Sequence, residues 1–186
     1  LGMTPATYGR GGRGMRIVFT IADSSLGRLL VAATERGVCS ITLGDSDAEL
    51  TRALFAEYPN AAIDSKDTSI SPSLNLWLQQ VLSSLNGKTQ RIDLPVDLQA
   101  TAFQWRVWEE LRRIPLGSTR SYQEIARAIG KPNAVRAVAR ACASNRLALV
   151  VPCHRVIRED KSLSGYRWGI ERKRKILEYE SEGAGS

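Results

Sequence analysis

Residues 121–145 read "SYQEIARAIGKPNAVRAVARACASN" and predict two short helices joined by a tight turn. Ser121 and Glu124 have the spacing of a capping box, in which each side chain accepts a hydrogen bond from the other residue's backbone N–H. Gly130 and Pro132 end the first helix. The second helix has apolar residues at i, i+3, i+4 and i+7, namely Val135, Val138, Ala139 and Cys142. Two short helices around a glycine-containing turn indicate a helix-turn-helix, a motif of many DNA-binding proteins.

The outer face of the second helix carries Arg136 and Arg140, four residues apart and away from the apolar stripe. The helix is also rich in alanine, and small side chains let a helix backbone approach a surface closely. Alanine is equally the best helix former, so the same composition is compatible with a plain structural helix.

The charge of the chain is concentrated in its second half. Of the net +7, residues 1–100 contribute −1, with 9 Lys and Arg against 10 Asp and Glu, whereas residues 101–186 contribute +8, with 17 against 9. A basic half beside a neutral one indicates a polyanionic partner, and a solvated basic surface is the alternative.

Composition excludes several classes of protein. No apolar stretch approaches the roughly 20 residues of a membrane span, so we expect a cytoplasmic protein without a membrane partner. The 3 cysteines form no close pair, and 1 histidine without a C-x-x-C motif argues against both a disulfide framework and a metal site.

The first half of the chain predicts a small α/β unit. Three β-type runs, 16–22, 27–34 and 37–43, are separated by polar breaks, with a hairpin turn in "TERG" at 34–37. An Asp-led helix follows, with Leu50, Leu54 and Phe55 on its buried face, and then a polar loop over 60–70. A second helix is capped by Ser71 and ended by Asn86 and Gly87. The segment 91–98 alternates like a strand, and its prolines and aspartates indicate an edge strand or an exit segment.

The helix that opens the second half is predicted from Thr101, its cap, to the stop at Pro115. Its buried stripe is Phe103, Val107, Trp108 and Leu111. We therefore divide the chain into a Gly-rich tail or linker (1–14), an N-terminal α/β domain (15–92), a second domain (93–180) and a short tail (181–186).

The segment 150–157, "VVPCHRVI", places the only histidine directly after Cys153. Cysteine and histidine form a common nucleophile and base pair. In a strand, however, neighbouring side chains point to opposite faces, so these two could not simply hydrogen-bond. A free cysteine in an apolar run is most often core. Pro152 before it and "HR" after it are a poor continuation of a core, which favours a functional role.

The chain resembles the O6-alkylguanine-DNA alkyltransferases, also called methylated-DNA–protein-cysteine methyltransferases. The resemblance rests on "PCHRVI" at 152–157, "SYQEIA" at 121–126, "NAVRAVARACASN" at 133–145 and "SLSGYRWGIERKRKILEYE" at 162–180. The loop "LSGYRWG" is similar to that of the alkyltransferase part of bacterial Ada proteins. "LGMTPATY" at 1–8 looks like the closing motif of an AraC-type domain, so an Ada-like parent with further domains is expected, and an unrelated tail is the alternative.

The resemblance implies a fold with an N-terminal RNase H-like α/β domain and a mostly helical winged helix-turn-helix domain. It implies irreversible transfer of a methyl or other alkyl group from O6 of guanine in duplex DNA to Cys153 in a single turnover, with O4-methylthymine as a second candidate substrate. In the family a water bridges the cysteine to the histidine and a glutamate holds the histidine, which implies roles for His154 and for Glu180, with Glu178 as the alternative. No cofactor and no metal are implied, since the zinc-binding residues of some members are missing.

The remaining site residues also follow from the resemblance. Tyr122 corresponds to the tyrosine that serves N3 of the base, and Asn145 to the residue that braces the active-site segment. Arg136 corresponds to the finger that replaces a flipped base in the stack, with the helix in the minor groove. The expected DNA contacts are Tyr122, Ala134, Arg136, Ala137, Arg140, Arg155, Ser164 and Gly165. Bulky Tyr166 and Trp168 beside the pocket favour methyl over large alkyl groups.

The expected partner is double-stranded DNA that carries O6-alkylguanine, bound by a monomer in the bacterial cytoplasm and nucleoid. Two alternatives stay open. One is a non-catalytic module of an Ada-like regulator that recognises alkyl lesions. The intact Cys153 argues against this alternative. The other is a Cys/His peptidase, which would not explain the basic second half.

Overall fold

The protein is described by a computed structural model that covers residues 11–65, 72–85 and 92–183. The first ten residues of the predicted tail lie outside the described residues, as do Ser71, Asn86 and Gly87, the predicted ends of one helix.

The N-terminal half is built on a four-stranded sheet. Strands β1 (Arg16–Ser24), β2 (Gly27–Thr34) and β3 (Gly37–Gly44) correspond to the three predicted runs and pair antiparallel in sequence order. A two-residue turn joins β2 and β3 at the predicted hairpin. A fourth strand, β4 (Ala62–Asp64), pairs parallel to β1, which makes the order β3-β2-β1-β4. The prediction of a loop over 60–70 was wrong at β4, because three residues are too few to show a strand periodicity.

Helix α1 (Asp47–Glu57) covers one face of the sheet. Leu50, Leu54 and Tyr58 are buried against the strands, whereas Phe55 is 48% exposed. The prediction of a buried Phe55 was wrong, because one residue turns a helix by about 100° and carries Phe55 away from the Leu50–Leu54 stripe. The other face of the sheet joins the main core with helix α2 (Leu74–Leu85) and the helices of the second half.

The segment 92–100 connects the two halves and is an exit segment rather than an edge strand, the two alternatives that the sequence left open. It pairs with β3 only around Val96, where Val38 donates to the carbonyl of Pro95 (2.8 Å) and accepts from the N–H of Asp97 (2.9 Å). Pro95 has no N–H to donate, which limits the length of such a pairing.

The second half is helical, with helix α3 (Ala102–Arg112) packed on the helix-turn-helix of α4 (Tyr122–Ala128) and α5 (Val135–Ala143). The predicted capping box of Ser121 with Glu124 is present, and the predicted cap Thr101 forms a second capping box with Gln104. The indole N–H of Trp108 donates to the carbonyl of Ala141 (2.9 Å) and ties α3 to α5.

The predicted core stripes are largely buried. Val107, Trp108 and Leu111 are buried on α3, while Phe103 is half-buried. On α5 the buried residues are Val138, Ala141 and Cys142, while Val135 and Ala139 are half-buried at the edge of the stripe.

The chain closes with a two-residue parallel pair and a long helix. Strand β5 (Arg120–Ser121) pairs with β6 (Val156–Ile157), and helix α6 (Ile170–Gly183) packs behind the segment that holds Cys153. The predicted fold class, a small N-terminal α/β unit followed by a mostly helical unit, is confirmed. Within the described ranges, no helix is long and apolar enough to cross a membrane.

Gly130 makes the turn of the helix-turn-helix. Its N–H donates to the carbonyl of Arg127 (2.9 Å), and the N–H of Lys131 donates to the carbonyl of Ala126 (2.9 Å). These are the two hydrogen bonds of a Schellman motif. Gly130 has a φ of +72°, a left-handed conformation that a side chain disfavours.

We predict that Gly130→Ala lowers the free energy of unfolding by about 1–2 kcal/mol, the cost of placing a Cβ in the left-handed region. The strain is purely conformational, because an added Cβ would meet no atom within 4 Å. Urea denaturation measures the change, with Gly165→Ala as the control, since Gly165 has equal space and no positive φ. Equal stability of the two variants would contradict the prediction.

Candidate active site

The segment around Cys153 is a turn and a short 3-10 helix, so a strand, one conformation considered for the apolar run 150–157, does not extend through Cys153. Residues Cys153–Arg155 form the 3-10 helix, and strand β6 follows at once. Leu149 has a φ of +70° in the preceding turn, and Pro152 supplies no N–H, so the segment cannot pair as a continuous strand. In a 3-10 helix consecutive side chains are about 120° apart, so Cys153 and His154 still point in different directions.

The thiol of Cys153 is buried and held by Asn145. Cys153 is 4% exposed, and the Nδ2 of Asn145 donates to its Sγ at 3.2 Å. Burial raises the pKa of Cys153 to about 11, although the Asn145 hydrogen bond and the nearby charge of Lys173 work in the opposite direction. At neutral pH the resting site therefore holds a thiol, and a base must remove its proton before it can act as a nucleophile.

Asn145 follows helix α5 and is itself fully buried. Its Nδ2 also donates to the carbonyl of Val151 (2.9 Å), and its Oδ1 accepts from the N–H of Leu147 (2.9 Å). One amide thus links the end of the helix-turn-helix to the turn that carries Cys153.

His154 is buried against the carboxylate of Glu180. It is 1% exposed, and its Nε2 lies 2.8 Å from Oε1 of Glu180 on helix α6. Burial lowers the pKa of His154, and the hydrogen bond to Glu180 only partly opposes this, so the imidazole is neutral at pH 7. Since an ionised Glu180 accepts from Nε2–H, the other ring nitrogen, Nδ1, carries the lone pair.

Nδ1 of His154 has no hydrogen-bond partner within the part of the chain that the structure describes, although it is buried. A neutral imidazole with a free lone pair and a carboxylate behind it has the form of a general base. Of the two glutamates that the sequence left open, Glu180 makes this contact, and Glu178 is exposed.

Arg155 also binds the carboxylate of Glu180 through two hydrogen bonds. The guanidinium donates from Nε to Oε2 (2.9 Å) and from Nη2 to Oε1 (2.8 Å). Burial disfavours the charge of Glu180, but the hydrogen bonds from His154 and Arg155 outweigh it and hold the pKa of this carboxyl at about 2. Glu180 is therefore ionised at any pH at which the site would work.

Arg155, which we predicted as a DNA contact, points into the protein. Its side chain is only 11% exposed, and its remaining donor, Nη1, binds the carbonyl of Ile114 (2.7 Å). With its hydrogen bonds committed inside the protein, Arg155 orients Glu180. Its role as a DNA contact stays a prediction, since adjacency to Cys153 does not reveal which way the long side chain turns.

Tyr122 and Ser164 meet although 42 residues separate them. The phenol oxygen of Tyr122, in the first turn of α4, lies 2.6 Å from Oγ of Ser164. Burial raises the pKa of Tyr122, against the opposing effect of the Ser164 hydrogen bond, so the phenol keeps its proton and can donate it. The neighbouring Gly165 is exposed.

Lys173 is a site residue that the sequence analysis missed. It is fully buried, and its Nζ donates to the carbonyl of Val156 (2.6 Å) and lies 3.4 Å from Oγ of Ser164. Burial lowers its pKa, which the neighbouring cysteines oppose. Because Lys173 lies within "RKRK", the sequence suggests a solvent-exposed basic run. Its spacing of seven residues from Glu180 could have revealed it, since that spacing places both residues on one helix face.

Tyr166 packs beside the imidazole of His154. The two ring centroids are 6.4 Å apart with an interplanar angle of 87°, and the phenol oxygen of Tyr166 is buried. Trp168, which we also predicted beside the pocket, is 6% exposed and belongs to the main core, where it contacts Tyr166 edge-on. Of the two aromatic residues, Tyr166 is the one that contacts a predicted site residue.

The outer face of the helix-turn-helix carries the other predicted contacts. Arg136 and Arg140 are exposed on α5, and Ala134 and Ala137 beside them are half-buried. The opposite face of α5 is in the core, and the helix leads directly into Asn145. A cationic surface is thus connected by one short segment to the Cys153 thiol.

A metal centre has no obvious ligand set in the described ranges, where no three His, Cys, Asp or Glu side chains cluster.

Comparisons with known proteins agree with this arrangement. Residues 17–98 match the family model "6-O-methylguanine DNA methyltransferase, ribonuclease-like domain", and residues 102–182 match "6-O-methylguanine DNA methyltransferase, DNA binding domain". These limits lie near the predicted domain boundary at 92/93, which itself stays a prediction.

Among relatives, the bifunctional transcriptional activator/DNA repair enzyme Ada of Escherichia coli is 48% identical over 182 residues, which is 98% of this chain and 50% of that protein. The chain therefore spans about half the length of that relative. A methylated-DNA–protein-cysteine methyltransferase of Mycobacterium tuberculosis is 38% identical over 168 residues, 90% of this chain and 94% of that protein.

A crystal structure of Mycobacterium tuberculosis OGT in complex with DNA has a similar fold. It superimposes with a TM-score of 0.73 at 34% identity and covers 89% of this chain and 94% of that one. From these matches over both halves, the chain belongs to the 6-O-methylguanine DNA methyltransferase family.

Proposed function

We propose that this chain repairs DNA by moving the alkyl group of O6-alkylguanine onto Sγ of its own Cys153, irreversibly and once per molecule. The observation that carries the proposal is the buried thiol of Cys153, held by Asn145 at 3.2 Å and followed by a neutral His154 that is paired with an ionised Glu180. The names of the methyltransferase relatives support the same reaction.

The reaction is a displacement at the alkyl carbon. The bond from Sγ to that carbon forms as the bond from the carbon to O6 breaks, which leaves a thioether on Cys153 and unmodified guanine in DNA. The thiol proton passes through a water molecule to Nδ1 of His154, because the two side chains diverge. Glu180 stabilises the imidazolium that results, and Arg155 keeps Glu180 in place. Guanine takes its proton from Tyr122, and solvent then returns the imidazolium proton of His154 to the Tyr122 phenolate, so that in net terms guanine gains the one proton that the thiol loses.

The departing guanine needs a proton at the opposite side of the pocket. Tyr122 is suited to donate it to N3, because its phenol stays neutral and is oriented by Ser164. In our proposal, the hydroxyl of Ser164 and the backbone of Gly165 lie next to O6 of the base. The buried charge of Lys173 behind Ser164 favours the negative charge that develops on the leaving base.

Access to O6 requires that the nucleotide leaves the duplex, at a cost of a few kcal/mol. We propose that exposed Arg136 takes the place of the flipped base in the stack, with Arg140 on a phosphate and Ala134 and Ala137 allowing close approach to the minor groove. The partner is double-stranded DNA with O6-alkylguanine. We also propose a monomer that acts in the cytoplasm at the nucleoid.

The first prediction concerns the acceptor. Incubation with a duplex that contains O6-methylguanine should raise the intact mass by one methylene unit, located on Cys153 by peptide mapping. Cys153→Ser should show no gain, whereas Cys142→Ala, which removes another buried thiol, should still be methylated. Lesion binding without any mass gain would instead favour the non-catalytic recognition module, and repeated turnover would refute the single-turnover reaction.

The second prediction concerns pH. His154→Ala should slow single-turnover transfer at pH 7 by about 100-fold or more, the contribution expected of a general base. Because the pKa of Cys153 is about 11, rising pH deprotonates the thiol without a base, so the deficit should narrow between neutral and alkaline pH. In the wild type the rate should fall only below the lowered pKa of His154, where Nδ1 becomes protonated.

Glu180→Gln should reproduce part of the His154→Ala defect, and exposed Glu178→Gln is the matched control with no expected effect. A His154→Ala rate that equals the wild type at neutral pH would disprove the base assignment while leaving the acceptor intact.

The third prediction separates base flipping from chemistry. Arg136→Ala should slow transfer from a duplex by about tenfold or more. Flipping costs a few kcal/mol, and losing only about 1.4 kcal/mol of the stabilisation of the flipped state corresponds to a factor of ten. Transfer from the free base O6-methylguanine, which needs no flipping and carries the same alkyl group, should be unchanged. An equal loss on both substrates would contradict the role of Arg136 as a stacking residue.

A further inference from the structure

The N-terminal half holds the active-site segment, although it contributes no residue to the chemistry. The N–H of Ile41 on strand β3 donates to the carbonyl of Arg146 (2.8 Å), and the N–H of Ala148 donates to the carbonyl of Ile41 (3.0 Å). The residues directly after Asn145 therefore continue the edge of the sheet at one bridge, Ile41 to Leu147.

Glu57, the last residue of α1, contacts two arginines from different parts of the second half. Its Oε1 lies 2.7 Å from Nε of Arg146, and its Oε2 accepts from Nη2 of Arg167 at 3.2 Å. The side chains of Glu57 and Arg146 are 21% and 13% exposed, so water screens this contact only in part. One carboxylate thus joins two segments that are 21 residues apart in the chain.

Each of the two arginines adjoins a residue of the site. Arg146 follows Asn145, whose amide holds the Cys153 thiol, and Arg167 follows Tyr166, whose ring packs on His154. Glu57 therefore connects the residue after Asn145 to the residue after Tyr166.

The ion pairs cross a space that packing does not fill. A cavity of about 360 Å³ lies between α1 and the 167–172 segment, and Glu57, Arg146 and Arg167 are among its lining residues. Across this cleft, the carboxylate of Glu57 connects α1 to both arginines. The loop is also held by Trp168 in the main core, by Ser164 on Tyr122 and by Arg172 on the carbonyl of Leu26.

We propose that Glu57 is a positioning residue that determines both the rate of alkyl transfer and the size of the alkyl group accepted. By holding Arg146 and Arg167 together, Glu57 keeps the ring of Tyr166 against His154 and the pocket narrow. This inference rests on the proposed alkyl-transfer function, and it assigns to the N-terminal half a part in selecting the substrate.

The test compares Glu57→Gln with the wild type on two duplexes that differ only in the lesion, O6-methylguanine or O6-benzylguanine. The substitution keeps the size of the side chain and removes its charge. Methyl transfer should slow by about fivefold, as expected for one member of a coupled ion-pair network. Benzyl transfer should slow less or become faster, so the methyl-to-benzyl rate ratio falls. The Kd for the duplex should change by less than about twofold, because Glu57 is remote from the helix-turn-helix surface.

Two further variants make the result specific. Arg167→Gln should lower the rate ratio in the same way, and Glu57→Gln with Arg167→Gln should be no worse than either single variant, because both remove the same contact. Asp47→Asn is the matched control on the same helix. Its partner, Arg28, lies within the N-terminal half, so both rates should equal those of the wild type.

The outcomes separate this inference from the proposed function. A wild type that transfers no alkyl group defeats the proposed function itself. A wild type that transfers, together with a Glu57→Gln variant of unchanged rates and unchanged ratio, overturns the positioning role. Fully additive losses in the double variant, or equal slowing on both lesions with a lowered Tm, would overturn it as well, since they would make Glu57 a residue of general stability.

Discussion

The buried amide of Asn145 is the contact on which the rest of the site depends. It stands where helix α5 ends, and its hydrogen bonds to the backbone of Leu147 and Val151 shape the turn that presents Cys153. A fully buried amide is stable only when its donors and acceptors are satisfied, so the turn has little freedom to rearrange. The surface of the helix-turn-helix and the thiol are thereby held in one rigid relation, and the N-terminal sheet supports it through the backbone of Ile41.

Behind the thiol, the protein buries charges that would be unstable alone. Glu180 is surrounded by Arg155 and His154, and Lys173 is satisfied by the carbonyl of Val156 and by Ser164. Each buried ion costs several kcal/mol unless it is paired and hydrogen-bonded, which is why all of these side chains come from elements packed closely together. As a result, the neutral imidazole of His154 lies beside the charge of Glu180 and the neutral thiol of Cys153 lies near that of Lys173. These charges stabilise the ionised forms of the two groups.

Sequence reasoning succeeded where a signal is local. The capping boxes, the turn at Gly130 and the stripes of α3 and α5 follow from spacing, because a helix brings residues three and four apart together. It failed where a signal is short or depends on distant partners. Strand β4 has three residues, and Phe55 lies one position beyond the true stripe. Within 150–157, residues 153–155 form a 3-10 helix and only 156–157 pair as a strand, because Pro152 and the left-handed Leu149 prevent earlier pairing. The family resemblance, rather than periodicity, singled out Tyr122, Asn145 and Glu180.

The sequence by itself determined the helix-turn-helix, the basic second half and the nature of the reactive pair, because residue types, their spacing and their charge are properties of the chain. Only the tertiary structure decided which groups surround that pair. The side chain of Arg155 points inward to Glu180, and that of Lys173 is buried although its neighbours in the basic run are exposed or half-buried. Glu57 contacts Arg146 and Arg167 across a cleft. The direction of a long side chain, and the desolvation that sets a pKa, depend on packing between elements far apart in the chain, which spacing along the sequence does not contain.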